Sequence, residues 1–395
     1  MLFGWTSSPE YCHETVVLVT GPDPSCDEEA ALALSWMSAD ASRGHLPLLR
    51  EHTPLEIWRA GAAELRAWGC RRDWVARFCD RRRGFSPAEA RAALARSDVE
   101  FISLDSPRYP PQLRMLFDPP VGLYLRGEGA AWDEVCAMER VTIVGTRMPT
   151  AYGLAAAAAL SAAFADAGVA VISGMAYGVD ARAHEIALAR GGMTVAVLGS
   201  GPDVPYPARH RHLMSRVVEK GAVISELPPG TKAAPWLFPL RNRILAALGD
   251  AVVVVQAGER SGATITADRA LDLGREVFAV PGSMLGDSHI GTNRLIQQGA
   301  AICLSPRQTV QDFHEATRML TNGRQSVGRR SPQPSEPPTA TEGLVMLALG
   351  RGPRTVDEVS EAAGIPLGEA AGVLAVLELR GRACRVGPGR FALGP

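Results

Sequence analysis

Lysine is almost missing. Of 41 basic residues only Lys220 and Lys232 are lysines, and the rest are arginine. A GC-rich genome accounts for the bias without any function. It still means that any anion site here is built from guanidinium forks, which meet phosphate in a bidentate way. Excess charge of one sign is missing too. The 41 Lys+Arg stand against 42 Asp+Glu, a net charge of −1, which excludes a chain that holds nucleic acid by global positive charge. The seven cysteines are odd in number and widely spaced, with no CxxC, which argues against a disulfide framework and a zinc site. Scattered thiols suit a reducing cytoplasm. No apolar run reaches a membrane span of about 18 residues. The nearest approach, 154–176, is rich in Ala and Gly and broken by Asp166. Glu10 and Glu14 come early and no basic segment precedes an apolar one, so no signal peptide is expected and the cytoplasm is.

Catalytic motifs are absent as well. There is no GxxxxGK[ST], no GxSxG, no HExxH, no paired carboxylates, and no GxGxxG after the first strand of the core. Anion-binding loops without an acid, a base or a metal ligand suggest binding rather than turnover. The expectation is no enzyme, no cofactor and no metal. What is present is a foldable chain of 395 residues, 46% apolar and 21% charged, which excludes bulk disorder. At roughly 100–200 residues per domain it holds two to four domains.

Four regions follow an irregular lead-in over 1–27. Residues 28–100 show helical periodicity in Leu, Trp and Phe, and Arg81-Arg82-Arg83 reads as a solvated helix end. From Val141 the pattern changes to short apolar runs separated by helical stretches. These runs are 141–144, 169–172, 194–198, 222–225, 252–255, 277–280 and 301–304. Strands that are apolar throughout are buried on both faces, which predicts a doubly wound, mainly parallel α/β sheet over a core of 141–304. Residues 322–340 are rich in Pro, Ser and Arg and read as a linker. Residues 341–395 read as three short helices and a hairpin, 383–386 with 390–393, which is a winged-helix outline. That tail holds six basic and six acidic residues, so its composition is not that of a basic DNA reader. Residues 1–140 carry 16 basic and 21 acidic residues, and 141–303 carry 14 and 12.

In a doubly wound sheet, ligands meet the loops at the carboxyl ends of the strands. Here those loops are small and polar. Gly145-Thr146-Arg147 follows the first core strand, where glycine admits an anion to the backbone and Arg147 offers a fork. Ser173-Gly174 ends the second, and Asp180 is placed to cap the next helix. Gly199-Ser200-Gly201 ends the third. Ser225-Glu226 ends the fourth, with Glu226 read as a structural acceptor. Phe238, Arg241, Asn242 and Arg243 form the densest cluster. Either Phe238 stacks on a base with the arginines on phosphate, or it packs in the core with the arginines on the surface. Arg260, Ser261 and Gly262 form a further nest opening a helix, and Gly291-Thr292-Asn293 follows the sixth strand. His184 reads as a helix-face residue.

Together these loops resemble the DNA-processing protein A family, also called DprA or Smf. The resemblance runs through 99–125 and then from 141 to 303. It is carried by Ser173-Gly174 with Gly178-Val179-Asp180 and His184, Gly201 with Asp203-Val204 and Tyr206-Pro207, Phe238-Pro239 with Arg241-Asn242-Arg243, Glu259-Arg260-Ser261-Gly262, and Phe278-Ala279-Val280-Pro281-Gly282-Ser283. It implies an extended Rossmann-like domain over 101–321, an N-terminal helical, SAM-like domain over 28–100 and a C-terminal winged helix. It implies a protein that binds single-stranded DNA, forms a homodimer and hands the strand to RecA recombinase, with no membrane partner. Carried over, Arg147 holds phosphate and Gly145, Thr146, Ser173, Gly174, Gly199, Gly201, Ser261 and Gly262 supply close contacts. Phe238 stacks on a base, and Arg241, Asn242, Arg243, Arg260 and Asn293 line the groove, which Lys232 extends. Tyr177, His210 and Gln256 depart from residues common in the family. The helical region lacks the Gly-x-Gly hairpin of many relatives, which favours a structural or partner role there. The competing reading is a Rossmann-like nucleotide phosphoribohydrolase. Its Gly-Gly-x-Gly-Thr-x-x-Glu loop would fall at Gly258–Thr264 and the residues after it, where the glutamate is missing.

Overall fold

The computed structural model describes residues 24–37, 46–259, 261–329, 339–350, 354–379, 383–387 and 390–393. The lead-in before residue 24 and the hairpin turn at 388–389 lie outside them. The chain divides into two compact units, residues 1–319 and 320–395.

The first unit is built on one nine-stranded sheet. Its strands are β1 Glu100–Ser103, β2 Gly122–Arg126, β3 Arg140–Val144, β4 Ala170–Ser173, β5 Thr194–Leu198, β6 Ala222–Ser225, β7 Ala251–Val254, β8 Glu276–Ala279 and β9 Ala301–Ile302. Their order is β1-β2-β6-β5-β4-β3-β7-β8-β9. From β6 to β9 all neighbours are parallel, while β1–β2 and β2–β6 are antiparallel. The mainly parallel doubly wound sheet therefore stands as expected. The apolar runs that read as strands are strands, with shifts of a residue at their ends. The β1–β2 hairpin is added to them at the sheet edge.

The reason for uninterrupted apolar runs is visible in β3 and β7. Val141 and Ile143 enter one core with Val253 and Val255, beneath the helices Ala151–Asp166 and Val179–Ala189. Val144 points the other way with Val252 and Val254, into a core shared with the helices Leu237–Leu248 and Gly262–Asp272. Alternate residues thus fill opposite cores, each fully buried aliphatic side chain contributing about 1.5–3 kcal/mol. One-sided patterning would have left one face wet.

The N-terminal helices Asp27–Met37, Pro54–Arg59, Ala62–Ala67 and Arg72–Arg83 pack around Trp58, Trp74, Phe78 and Leu65, and the helix Pro87–Arg96 sets Ala90 against Leu32, Val99 and Tyr124. A capping box between Thr53 and Glu56 starts the second of them. Of the three consecutive arginines, Arg81 and Arg83 are exposed, while Arg82 donates to the carbonyls of Trp58 and Ala60, the latter at 2.8 Å. This layer is continuous with the sheet edge. Val121 belongs to its core, and the Ser35 and Tyr124 hydroxyls lie 2.6 Å apart.

The second unit holds the helices Ala340–Leu349, Val356–Ala363 and Leu367–Leu379 and a three-stranded sheet. Its strands are β10 Arg354–Thr355, β11 Ala383–Gly387 and β12 Arg390–Leu393, in the order β10-β12-β11. Val345, Leu349, Val359, Leu374, Leu377 and Phe391 form its core. Capping boxes at Thr339/Glu342 and Thr355/Glu358 start two of the helices. The winged-helix outline stands, with β10 as the strand that the sequence pattern does not reveal. The linker expectation is corrected at its start. A helix runs from Pro306 to Arg329 across position 322, and residues 330–338 lie outside the described residues. Among the described residues no single helix is long and apolar enough to cross a membrane.

Candidate nucleic-acid interface

After β3 the chain proceeds to β4 on one side of the sheet, and β7 returns on the other. The two connections part at the carboxyl ends of β3 and β7, the switch point where doubly wound sheets hold ligands. A pocket of about 480 Å³ opens there. Its walls are the loop Gly145–Arg147, the start of the helix Gly262–Asp272 and the first two turns of the helix Leu237–Leu248.

Local chemistry builds these walls. Gly145 lets the end of β3 pass the helix Val179–Ala189, since a Cβ there would stand 2.6 Å from a Val179 methyl. The Thr146 N–H donates to the Gln256 carbonyl at 2.8 Å, tying the β3 loop to the β7 loop. Ser261 caps the helix Gly262–Asp272, its hydroxyl accepting from the Ala263 N–H at 3.3 Å. That helix N-terminus faces the pocket and favours negative charge there.

The rim is aromatic and cationic. Arg147 is exposed and its guanidinium lies 5.0 Å from the centroid of the Phe238 ring. Phe238 is half-buried, and Tyr206 leans against it at 5.3 Å between centroids. Neither ring is sealed in the core, so both have area left for a flat ligand.

The floor is different. Arg241 is buried and donates to the Gly174 carbonyl at 2.9 Å and to the Val197 carbonyl. A Cβ at Gly174 would stand 2.3 Å from that guanidinium, so only glycine leaves room for it. Burial lowers the Arg241 pKa to about 10, with Asp180 opposing the shift and Arg147 adding to it. Burial pushes the Asp180 carboxyl above its ordinary range, and the Arg241 guanidinium draws it back. Asp180 accepts from the Ala176 N–H at 3.3 Å. The expected cap role is corrected here. Gly178 is the N-cap of the helix, and Asp180 turns inward to the arginine. Behind this pair His184 donates from Nδ1 to the Thr194 hydroxyl at 2.7 Å, because that hydroxyl itself donates to the Val171 carbonyl. Burial lowers the His184 pKa to about 3, with His210 and Arg241 adding to the shift.

Eight of the expected contact residues line the pocket: Gly145, Thr146, Arg147, Phe238, Arg241, Asn242, Ser261 and Gly262. Helix geometry selects among the neighbours. Phe238, Arg241, Asn242 and Leu245 follow the i, i+3, i+4, i+7 spacing of one helix face and all reach the pocket. Arg243 falls off that face and does not line this pocket, which corrects its expected place there. It is buried 2.5 Å from Glu226 and 3.1 Å from Asp118. This makes Glu226 the structural acceptor that it was expected to be. Asn242 reaches the pocket edge while its amide donates to the Gly262 carbonyl at 3.2 Å.

Six more expected residues stand off the pocket. Ser173 is buried and donates to the Ile143 carbonyl at 2.6 Å. Gly174 lies beneath Arg241. Gly199 backs the Phe238 ring, and Gly201 is packed against the Pro228 carbonyl. Lys232 is exposed and does not line the pocket. Asn293 exchanges two hydrogen bonds of 3.1 Å with Gly282, pinning the turn after β8. Arg260 lies outside the described residues. Tyr206, Asp180 and Thr266 line the pocket and were not among the expected contacts. For Tyr206 the signal was in view, an aromatic in the loop after Gly201. For Thr266 only its helix register, four residues after Gly262, pointed there.

The DNA recombination-mediator protein A family matches residues 100–314, and the DprA winged helix domain matches residues 329–389. The chain is 41% identical over 274 residues to the putative DNA processing protein DprA of Mycobacterium tuberculosis, covering 69% of each. It is 30% identical over 379 residues to the protein Smf of Synechocystis, covering 88% of this chain and 95% of that one. Among solved structures, the DNA processing protein A of Streptococcus pneumoniae superposes with a TM-score of 0.62 at 30% identity, covering 74% of this chain and 99% of that one. The protein of the same name from Helicobacter pylori, whose structure describes a single-stranded DNA binding mode, matches at TM-score 0.50 and 28% identity over 55% of this chain and 98% of that one. On this match, which takes in the whole parallel sheet and the winged helix, the chain belongs to the DNA recombination-mediator protein A (DprA/Smf) family.

Proposed function

We propose that this protein binds single-stranded DNA in the pocket at the ends of β3 and β7 and, as a homodimer in the cytoplasm, hands the strand to RecA recombinase. The observation that carries the reading is the exposed Arg147 over the half-buried Phe238 ring at 5.0 Å. A single strand offers a phosphate and an unstacked base within a few ångströms of each other, and a guanidinium beside an open aromatic ring answers both. The helix N-terminus at Ser261 and the loop at Gly145 add donors for the same backbone. The relative from Helicobacter pylori, with its single-stranded DNA binding mode, supports the ligand class. Delivery to RecA and the homodimer rest on family membership. Arg147, Ser261, Gly262, Gly145 and Thr146 are the proposed backbone contacts, and Phe238 the proposed base contact.

Fluorescence anisotropy with labelled oligo-dT at several salt concentrations tests this. The wild type binds with a steep salt slope, and duplex of equal length binds more weakly. Arg147→Ala weakens binding for all sequences alike and reduces the slope by about 0.7 for a lost phosphate contact. Equal binding of duplex and single strand, or an Arg147→Ala variant that binds like wild type, overturns the reading. Co-purification with RecA in the presence of the oligonucleotide, and sedimentation of the free protein, test delivery and dimer separately.

A further inference from the structure

Four arginines lie over aromatic rings among the described residues: Arg50 over Phe117, Arg82 over Phe78, Arg114 over Tyr109 and Arg147 over Phe238. Phe78 and Tyr109 are buried, so those two pairs serve packing. The other two open into pockets. Arg147 and Phe238 belong to the pocket already described. Arg50 and Phe117 line a second one, also of about 480 Å³, between the turn Leu46–Arg50, the loop around Phe117 and the helices Leu237–Leu248 and Gly262–Asp272. Pro239, in the first turn of the helix Leu237–Leu248, lines both pockets, so they adjoin.

We infer that a single strand held in the first pocket continues across Pro239 into the second, where Phe117 stacks on a base and Arg50 holds phosphate. This rests on the single-stranded DNA reading above and extends it to a second subsite. Phe117 is 69% exposed, which leaves a large apolar ring area open to a ligand. Arg50 approaches its ring at 4.6 Å, much as Arg147 approaches Phe238. Charge favours an anion. The pocket's Asp118 is 3.1 Å from Arg243, and its Asp272 is 3.6 Å from Arg269, while Arg50 has no carboxylate partner among the described residues. Both Arg269 and Asp272 are exposed, so their pairing is weak enough for Arg269 to turn to a phosphate. An apolar peptide would match Phe117 and Met115 but leave Arg50 without a counter-charge. A nucleotide answers ring and cation together.

The test is binding of the full-length protein to oligo-dT of about 4 and about 16 nucleotides, the range that one such module covers. Wild type gains affinity from the short to the long oligonucleotide. Phe117→Ala and Arg50→Ala leave the short one unchanged and weaken the long one by about five-fold or more, removing the gain. Phe117→Trp, which keeps a stacking face, keeps the gain. A length gain that survives in both Phe117→Ala and Arg50→Ala, or an equal loss for both lengths, overturns the second subsite. Arg147→Ala weakens both lengths if the first pocket is read correctly. If it weakens neither, that first reading falls, whatever Phe117 does. Both mutated side chains are exposed, and a thermal melt matching wild type verifies that the variants fold.

Discussion

At the rim of the strand-end pocket Arg147 is exposed, lies over an aromatic ring and has no carboxylate partner among the described residues. At the floor Arg241 is buried, donates to two strand-end carbonyls and faces a buried aspartate. The two guanidiniums belong to one pocket and are close enough for each to feel the other's charge. The difference lies in solvation. A buried guanidinium has given up water, and carbonyls and carboxylates brought by the fold must stand in for it, so it becomes part of the fold. An exposed one keeps its hydration until a phosphate displaces it. Arginine content therefore says little about a groove until each guanidinium has been assigned to rim or floor.

Substitutions at the floor should break this contrast most visibly if it is wrong. Arg241→Ala leaves Asp180 buried without its cation and two carbonyls without a donor, and should cost about 3–5 kcal/mol of folding stability. Urea unfolding measures this. Gly174→Ala forces a methyl group onto the same guanidinium and should cost about 1–3 kcal/mol. Arg147→Ala should stay within about 0.5 kcal/mol of wild type in the same assay while losing single-stranded DNA affinity. If Arg241→Ala remains as stable as wild type, floor and rim are not distinct.

Phe238→Leu sharpens the rim. It keeps apolar volume but removes the stacking face, and should weaken oligo-dT binding by about 1–3 kcal/mol per stacked base. Stability should fall less, because the ring is only half-buried. Titration calorimetry and a thermal melt on the same sample separate the two effects.

The last effect appears only in acid. His184 has its pKa lowered to about 3, so the unfolded chain takes up a proton near the ordinary histidine value while the folded one refuses it. The contribution of His184 to stability is whole above that ordinary value and falls as pH drops toward 3. His184→Gln removes this proton uptake and should flatten the decline of stability between about pH 6.5 and 4. Unfolding curves at stepped pH read the difference in slope between the two proteins. Equal slopes would mean that His184 is protonated in the folded state.

Much of the architecture was legible. Runs such as 252–255 announce strands buried on both faces, because no polar residue interrupts them. The β1–β2 hairpin was not legible. Glu100–Ser103 and Gly122–Arg126 are short, flanked by loops, and paired with each other and with β6 only through tertiary contact. At the site, Gly145, Arg147, Phe238 and Ser261 could be read from the rule that ligands meet strand ends. Arg243 was misread because adjacent arginines look equivalent in a line of text. Helical periodicity separates them, and Phe238, Arg241, Asn242 and Leu245 show the face that the spacing allows. Ser173 and Asn293 had small polar side chains suited to a ligand, but main-chain groups close by claimed them first.

By itself the sequence determined the parallel sheet, the winged-helix tail and the scarcity of lysine that makes every cationic contact, bar two positions, an arginine. These follow from local composition and period, which do not depend on distant partners. Only the tertiary structure decided which arginines are available. Arg241, Arg243 and Arg147 lie within about a hundred residues of one another and are chemically identical. Their fates diverge because Gly174, Glu226 and Asp118 come from other parts of the chain and are brought to two of them alone. Near-neutral net charge therefore hides a rim whose cations are few, placed and unpaired among the described residues.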